Sequence, residues 1–248
     1  MTDIQWCIDY LKDYNHIKDE LSYDWPTFRA LLNITMPVDL SNEFYDKQDK
    51  VLKDIMSEKK IIDASSFPNG VSLYKGDITL IKVDAIVNAC NSKMLGCFVP
   101  GHHCIDNAIH SFAGLQVRRD MMKIMKEQGH DEINGQVKVS NGYNLPAKYI
   151  FHTVGPIYSG IRQDEADLIS CYYSCLRKAD EMGLESIVFC SLSTGVFGFP
   201  IEKACKIAIK CVNSYLKEEN KNIKKVIFDV FSDYDYETYK KNMKEAGL

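Results

Sequence analysis

Hydrophobic positions in the first sixty residues recur every three or four positions, which is the spacing of helices with one apolar face. A proline follows Trp25, where the first turn of a helix accepts one, and Ser41 is placed to cap a third helix. The residues that share one side of each of the three helices are Ile4, Cys7, Ile8 and Leu11, then Phe28, Leu31 and Leu32, then Phe44, Gln48, Val51, Leu52 and Ile55. Because three short helices bury little apolar surface alone, we expect residues 1–65 to form an N-terminal helical extension packed on a larger domain.

Short apolar runs alternate with helical repeats from residue 71 onward. The predicted strands cover residues 71–74, 78–81, 85–89, 136–140, 149–154, 186–192 and 225–231. The predicted helices cover residues 104–126, 168–182 and 200–216, and a last helix begins near residue 234. Strands that alternate with helices are typical of a mixed or parallel sheet with helices on both faces. The pattern therefore predicts an α/β domain over residues 70–248.

Charge and composition narrow the classes of partner. The chain of 248 residues has a formal net charge of −4, and no run of lysine or arginine exceeds two residues. Nucleic-acid affinity comes mainly from clustered cations, so no nucleic-acid partner is expected, although a single nucleotide held by backbone amides is compatible with this charge. No apolar run approaches the ~18 residues of a membrane span, and the N-terminus lacks the features of a signal peptide. The odd number of nine cysteines, several at core positions, favours reduced thiols in a cytoplasmic protein.

A loop between a predicted strand and a predicted helix contains two cysteines and two histidines. Cys97, His102 and Cys104 follow the spacing C-x4-H-x-C, and thiolates with an imidazole are ligands that zinc prefers. Three protein ligands rather than four would leave a position for water or substrate. The spacing does not choose between His102 and the adjacent His103. Buried thiols beside an ordinary surface histidine are the alternative interpretation.

Other segments have the residue types of a nucleotide site. Residues 193–198 form a glycine-bearing loop before a helix, where backbone N–H groups can bind a pyrophosphate. Phe197 in this loop could cover a ribose, although such connectors and packed aromatic residues are common. Asp77 is either a turn residue or an acceptor for an exocyclic amine such as that of adenine. Asp106 either stabilises a helix N-terminus or positions water or a substrate hydroxyl.

Together these stretches resemble a macrodomain, the module that binds ADP-ribose. The matching segments are residues 76–79 (GDIT), 83–91 (VDAIVNACN), 144–156 (NLPAKYIFHTVGP) and 193–200 (STGVFGFP), in the order of the family. The resemblance implies a three-layer α/β/α fold with a mixed central sheet, to which the N-terminal helical extension is added.

One departure from ordinary macrodomains is informative. Where they have a run of glycines, this chain has residues 96–107 (GCFVPGHHCIDN), which resemble the Gly-Cys-Phe-x-Pro-x-His-x-Cys loop of the zinc-dependent macrodomains. Laid on this sequence, that pattern selects Cys97, His102 and Cys104 as zinc ligands and leaves His103 out. The helical extension is also similar to that class.

The resemblance also implies which residues contact the substrate. Adenine contacts are expected at Asp77, Ile78 and Phe231, and distal-ribose contacts at Asn91 and Phe197. The diphosphate is expected against the backbone amides of Ser193, Thr194, Gly195 and Val196. Asn91, which would fix the ribose, and Asp106, which would orient water or a hydroxyl, are the expected catalytic residues. Asn107 stands where the family has a glycine next to that aspartate.

The activity implied by the resemblance is zinc-dependent removal of mono-ADP-ribose from modified protein side chains. Members of the class are linked in microbes to modification of a lipoyl carrier protein, which makes such a carrier a candidate substrate. We expect a monomer with Zn²⁺ as its cofactor, ADP-ribose and the modified protein as partners, and no membrane partner. Two alternatives use the same pocket: a reader that binds ADP-ribose without hydrolysing anything, and a deacetylase of O-acetyl-ADP-ribose.

Overall fold

The computed structural model describes residues 1–248 and contains eight α-helices and eight strands. The helices are α1 (Asp3–Tyr14), α2 (Trp25–Ile34), α3 (Asn42–Ser57), α4 (Ile105–Ala113), α5 (Leu115–Gln128), α6 (Arg162–Glu181), α7 (Ile201–Glu218) and α8 (Asp233–Glu245). The strands are β1 (Ile62–Asp63), β2 (Gly70–Lys75), β3 (Ile81–Lys82), β4 (Ala85–Cys90), β5 (Val137–Asn141), β6 (Tyr149–Val154), β7 (Ser186–Phe189) and β8 (Lys225–Val230). None of the helices combines the length and the apolar character needed to cross a bilayer.

The central sheet has six strands in the order β2-β8-β7-β4-β6-β5. The first five strands are parallel, and β5 pairs antiparallel with β6. Strands β4, β6, β7 and β8 are buried along nearly their whole length, which requires cover on both faces of the sheet. The predicted three-layer α/β/α fold with a mixed central sheet is therefore confirmed.

The three N-terminal helices form where the apolar pattern predicted them. Ser41 caps α3, as expected, and Asp24 caps α2, which has Pro26 in its first turn. The helices enclose a smaller apolar core of their own, to which Leu115 of α5 also contributes. Trp25 of α2 stacks on Phe112 of α4 with ring centroids 5.2 Å apart. The extension is thus packed against the segment that follows the cysteine- and histidine-bearing loop.

The predicted strand over residues 78–81 is wrong. The Asp77 side chain accepts hydrogen bonds from the backbone N–H and the hydroxyl of Thr79. This local cap starts a short 3₁₀ helix at Ile78–Leu80, so that only Ile81–Lys82 is extended. That strand pairs with β1 at Ile62–Asp63, a strand that the sequence pattern did not predict, in a separate two-stranded sheet.

The single helix predicted over residues 104–126 is also wrong. Gly114, with φ of +97°, ends α4 and precedes α5. A Cβ atom at this position would lie 2.7 Å from side-chain atoms of both Gln48 and Gln116. Gln48 of α3 accepts a hydrogen bond from the N–H of Leu115, so the break is where the extension meets the main domain.

Candidate functional site

The candidate site residues lie along one edge of the central sheet. Asp77 follows β2, Phe231 follows β8, residues 193–198 follow β7, and Asn91 follows β4. These four strands are neighbours and parallel, so their carboxyl ends meet at the same edge. Ligands of open α/β sheets bind at that edge. The strand order arranges the segments predicted for adenine, diphosphate and distal ribose in the order in which ADP-ribose would need them.

The segment from Asn91 to Cys104, called the metal loop from here on, brings three potential ligands together. Cys97 Sγ lies 3.6 Å from His102 Nδ1. The ligand atoms of Cys97, His102 and Cys104 all lie within 4.8 Å of one another. Cys104 also caps α4, because its Sγ accepts a hydrogen bond from the N–H of Asn107. His103 is exposed and lies outside the group, so the geometry separates the two histidines that the spacing left equal.

The donor set of the three side chains, two thiols and an imidazole, is suited to a zinc ion. Tetrahedral coordination with Zn–S of about 2.3 Å and Zn–N of about 2.05 Å separates sulfur from nitrogen by about 3.6 Å, the distance between Cys97 and His102. Burial raises the pKa of the Cys104 thiol to about 12, and the neighbouring Cys97 adds to the rise. Metal-binding thiols must lose their protons, and a cation between the two sulfurs would offset this cost.

Asp106 is buried behind the metal loop and belongs to a chain of polar side chains. Its Oδ1 accepts a hydrogen bond of 2.8 Å from Asn88 Nδ2, and Asn88 Nδ2 lies 3.2 Å from His152 Nδ1. His152 Nε2 lies 2.9 Å from Ser140 Oγ. Burial raises the pKa of Asp106 to about 6, while Asn88 and Arg118 oppose the rise. Asn88, His152 and Ser140 were not predicted as members of this chain, because they lie on three different strands.

His110 supports the metal loop by its shape. The ring is buried, and neither ring nitrogen has a hydrogen-bond partner. Burial holds the pKa of His110 well below its usual value, so the ring is neutral. Gly96 has φ of +84°, and a Cβ there would lie 2.9 Å from the His110 ring. The loop can pass this ring closely only because residue 96 is a glycine.

Asn91, predicted to bind the distal ribose, already makes contacts within its own loop. Its Oδ1 accepts a hydrogen bond from Lys93 N, and its Nδ2 donates one to Gly96 O at 3.1 Å. A primary amide has a second N–H and a second lone pair, so one donor and one acceptor are left for a ligand. Asn91 therefore shapes the metal loop in addition to its predicted role.

Residues 193–198, called the diphosphate loop from here on, leave backbone donors unused. The N–H groups of Thr194, Gly195, Val196 and Phe197 donate no hydrogen bond within the protein. Ser193 adopts a φ of +63°, which is uncommon outside glycine, and its buried hydroxyl has no partner. Gly155, after β6, allows this approach, because a Cβ there would lie 2.1 Å from Ser193 Oγ.

The carboxyl ends of β2 and β8 bring together an exposed aromatic ring and two carboxyl groups. The N–H of Gly76 donates to the carbonyl of Val230, which places Asp77 beside Phe231 along the two strand ends. Phe231 is 88% exposed although it is a large apolar residue. Asp229, which was not predicted as a site residue, is buried in β8 with Oδ1 unpaired. Burial, with a contribution from Asp77, raises the pKa of Asp229 to about 8.

Three further side chains contact the metal loop from distant parts of the sequence. Arg29 and Asn33 belong to α2, and Arg118 belongs to α5. The bonds of Arg29 and Asn33 to the metal loop span 73 and 68 residues of chain. No local pattern marks such residues, since an isolated arginine or asparagine on a helix is usually solvated.

These features define an α/β/α module with unpaired backbone donors and an exposed aromatic ring at the carboxyl edge of its sheet, and with a group of three potential metal ligands at one end. A family model described as "Macro domain" matches residues 87–208. A protein-ADP-ribose hydrolase from Staphylococcus aureus (strain MRSA252) is 45% identical over 225 residues, covering 87% of this chain and 83% of the relative. A protein of the same name from Treponema medium is 45% identical over 224 residues, covering 87% and 85%.

Solved structures agree with these relatives. The Trypanosoma brucei macrodomain in complex with ADP-ribose superposes with a TM-score of 0.67 at 30% identity, covering 86% of this chain and 94% of that one. The chain belongs to the Macro domain family.

Proposed function

We propose that the protein is a zinc-dependent hydrolase that removes mono-ADP-ribose from modified protein side chains. The observation that carries the proposal is the convergence of Cys97, His102 and Cys104 beside Asn91 at the carboxyl end of β4. The two relatives that are 45% identical over 87% of the chain are named protein-ADP-ribose hydrolase, which supports the hydrolytic part of the proposal. The nine thiols, none of them in a disulfide, suit the reducing cytoplasm to which we assign the protein.

The ligand would lie along the carboxyl edge of the sheet. Phe231 would stack on adenine while Asp77 accepts a hydrogen bond from its exocyclic amine, with Ile78 contributing a backbone contact. The unused N–H groups of the diphosphate loop would bind the phosphate oxygens, and Phe197 would cover the distal ribose. These contacts are remote from the reacting bond and would supply binding energy that positions it.

The reacting bond would join C1″ of the distal ribose to the side chain of the modified protein. A bound zinc ion would supply Lewis acidity, which stabilises developing negative charge or lowers the pKa of a water. Asn91 would orient the ribose with its remaining donor and acceptor. Asp106, held by Asn88, would orient water or a ribose hydroxyl through its second oxygen, which accepts no hydrogen bond within the protein.

The test compares neighbouring histidines in a release assay on a mono-ADP-ribosylated protein. Cys97→Ala and His102→Ala should lower turnover at least ~100-fold, because each removes a ligand of the metal. His103→Ala, the matched control, should stay within about twofold of the unchanged protein, since His103 lies outside the ligand group. Calorimetry with ADP-ribose should give dissociation constants within about fivefold for all variants, because most contacts lie at the other end of the cleft.

Metal analysis of the purified protein completes this test. One zinc per chain is expected, and its removal by a chelator should abolish release of ADP-ribose until zinc is restored. Full turnover in a metal-free preparation would contradict the proposal. Binding of ADP-ribose without any release would make the protein a reader, and faster turnover of O-acetyl-ADP-ribose at equal enzyme would make it a deacetylase.

A further inference from the structure

Side chains of the N-terminal extension form hydrogen bonds with the backbone of the metal loop. Arg29 of α2 directs Nε and Nη2 at Asn107 Oδ1, at 3.1 and 2.7 Å. The same Nη2 donates to the backbone carbonyl of His102 at 3.1 Å. Asn107 in turn donates its side-chain N–H to the carbonyl of Val99 at 3.0 Å. One guanidinium is thus connected to the loop on both sides of the His102 ligand.

Asn33, one turn further along α2, holds a neighbouring peptide. Its Oδ1 accepts a hydrogen bond of 2.9 Å from the N–H of Gly101, which directly precedes His102. Its Nδ2 donates to Ser111 Oγ at 2.9 Å, and Ser111 donates to the carbonyl of Asn107. Asn33 is 1% exposed, so water does not compete for these bonds. Both polar ends of the side chain are therefore committed to the loop and the helix that follows it.

Arg118 of α5 joins the end of α2 to the start of the same loop. Its guanidinium donates to the carbonyls of Leu32, Asn33 and Thr35, where the last turn of α2 leaves carbonyl groups unpaired. It also donates to the carbonyl of Leu95 at 2.7 Å and lies 4.3 Å from the centre of the Phe98 ring. Since Arg118 is only 1% exposed, this buried cation fixes α2 and the metal loop relative to each other.

These contacts act on a loop that has no regular structure. The three candidate metal ligands are separated by four residues and one residue, and glycine at positions 96 and 101 gives the backbone many alternatives. Ordering such a backbone costs roughly 1–2 kcal/mol per residue at 25 °C. Bonds that fix the peptides around His102 before the metal arrives would remove part of this cost from the binding step.

We propose that α2 of the N-terminal extension contributes to metal binding, with Arg29 and Asn33 as positioning residues that orient the His102 ligand. The inference rests on the proposed function in that the bound metal is taken to be zinc. It assigns the extension a role in activity that a purely structural appendage would not have.

The test measures metal affinity rather than activity alone. Zinc is titrated into metal-free protein in competition with a chromophoric chelator, for the unchanged protein, Arg29→Met, Arg29→Lys and Asn33→Ala. Arg29→Met and Asn33→Ala should weaken zinc binding ~10–100-fold, the loss typical of removing groups that orient metal ligands. Arg29→Lys keeps the charge but not the planar fork, so its loss should be intermediate. If Arg29→Met does not fold, Arg29→Lys takes its place in the zinc titration.

Two further readouts distinguish positioning from loss of stability. The Co²⁺-substituted protein should show a changed visible spectrum in Arg29→Met, while calorimetry with ADP should show affinity within about threefold of the unchanged protein. Arg177→Met is the matched control, because Arg177 makes a comparable forked bond to Glu219 far from the loop. This variant should keep its zinc affinity.

Each outcome has a defined meaning. Folded Arg29→Met and Asn33→Ala variants that bind zinc within twofold of the unchanged protein overturn the inference and leave the proposed function intact. Equal loss of zinc in Arg177→Met also overturns it, because the effect is then general destabilisation. An unchanged protein that binds no zinc overturns the proposed function itself.

Discussion

The metal loop and the diphosphate loop differ in how the rest of the fold contacts them. The metal loop is held by side chains from elsewhere in the fold: Arg29, Asn33 and Arg118 form hydrogen bonds with its backbone. The diphosphate loop has four consecutive N–H groups without partners, and Val196 within it is 81% exposed. Distant side chains therefore fix the metal loop, whereas the diphosphate loop receives no hydrogen bond from a distant side chain and leaves its N–H groups for a ligand.

The difference matches the roles proposed for the two ends. Ligands of a catalytic metal must be oriented before substrate arrives, because misplacement by even 1 Å can cost ~100-fold in rate. A binding loop gains affinity when its own polar groups are unpaired, since the ligand then supplies the missing bonds. The two loops should therefore respond differently to substitution.

The largest expected effect follows from adding a side chain at Gly96, where the metal loop passes close to the His110 ring. Gly96→Ala places a methyl group 2.9 Å from the His110 ring at a φ of +84°. The backbone strain alone costs about 1–3 kcal/mol, and the clash adds to it. We expect zinc affinity and turnover to fall by at least ~100-fold together, measured by zinc competition and by release of ADP-ribose.

Gly101→Ala is the control for this prediction. Its φ is +64°, yet no atom lies within 4 Å of the added Cβ, so it carries backbone strain without the clash. It should cost ~10-fold less in zinc affinity than Gly96→Ala. Equal losses in the two variants would show that the His110 contact does not hold the loop.

An intermediate effect is expected at the nucleotide end, where Asp229 is buried without a partner for Oδ1. Its pKa is raised from the ordinary 3.8 to about 8 by burial and by the nearby Asp77. The folded protein holds this proton more tightly than the unfolded chain, so the contribution of Asp229 to stability falls as pH rises from about 4 to about 8. The other titratable groups that face it are Tyr74 on β2 and the thiol of Cys190 after β7.

Asp229→Asn removes the ionisation while keeping the shape of the side chain. Between pH 5 and pH 8, the unfolding free energy of the unchanged protein should therefore change with pH more unfavourably than that of Asp229→Asn. The difference between the two slopes should be up to ~1.4 kcal/mol per pH unit. The measurement is urea unfolding at each pH. Asp77→Asn should reduce the same slope only in part, because burial is the larger cause. Parallel stability curves for Asp229→Asn and the unchanged protein would refute the assignment.

The regular parts of this fold could be predicted from the chain because they depend on local periodicity. Buried parallel strands such as residues 85–90 are short apolar runs, and the helices repeat at the spacing of their buried faces. The two errors arose where a side chain or a neighbouring helix overrides the pattern. Asp77 caps a 3₁₀ turn within an apolar run, and Gly114 divides a continuous helical pattern where α3 meets it.

The candidate site was predictable only as far as its ligands lie close together in the sequence. Spacing alone left His102 and His103 equal, and tertiary geometry places only His102 near the cysteines. Arg29 and Asn33 were not predictable, because their significance depends on a contact between segments about seventy residues apart. Asp229 was read as part of an ordinary strand, since alternation cannot distinguish a buried carboxyl without a partner from a solvated one.

The smallest expected effect separates binding from stability at the adenine end. Phe231 is 88% exposed, so Phe231→Ala removes almost no buried surface and should leave the unfolding free energy within about 0.5 kcal/mol. Stacking of a base on an aromatic ring is worth about 1–3 kcal/mol, so the dissociation constant for ADP-ribose should rise roughly 10-fold or more. Calorimetry measures the rise, and Phe231→Trp, which preserves stacking, should restore affinity. Zinc affinity should not change, since the metal loop is at the other end. If Phe231→Ala bound ADP-ribose as tightly as the unchanged protein, the exposed ring would have no part in the site, and the placement of adenine between β2 and β8 would fall with it.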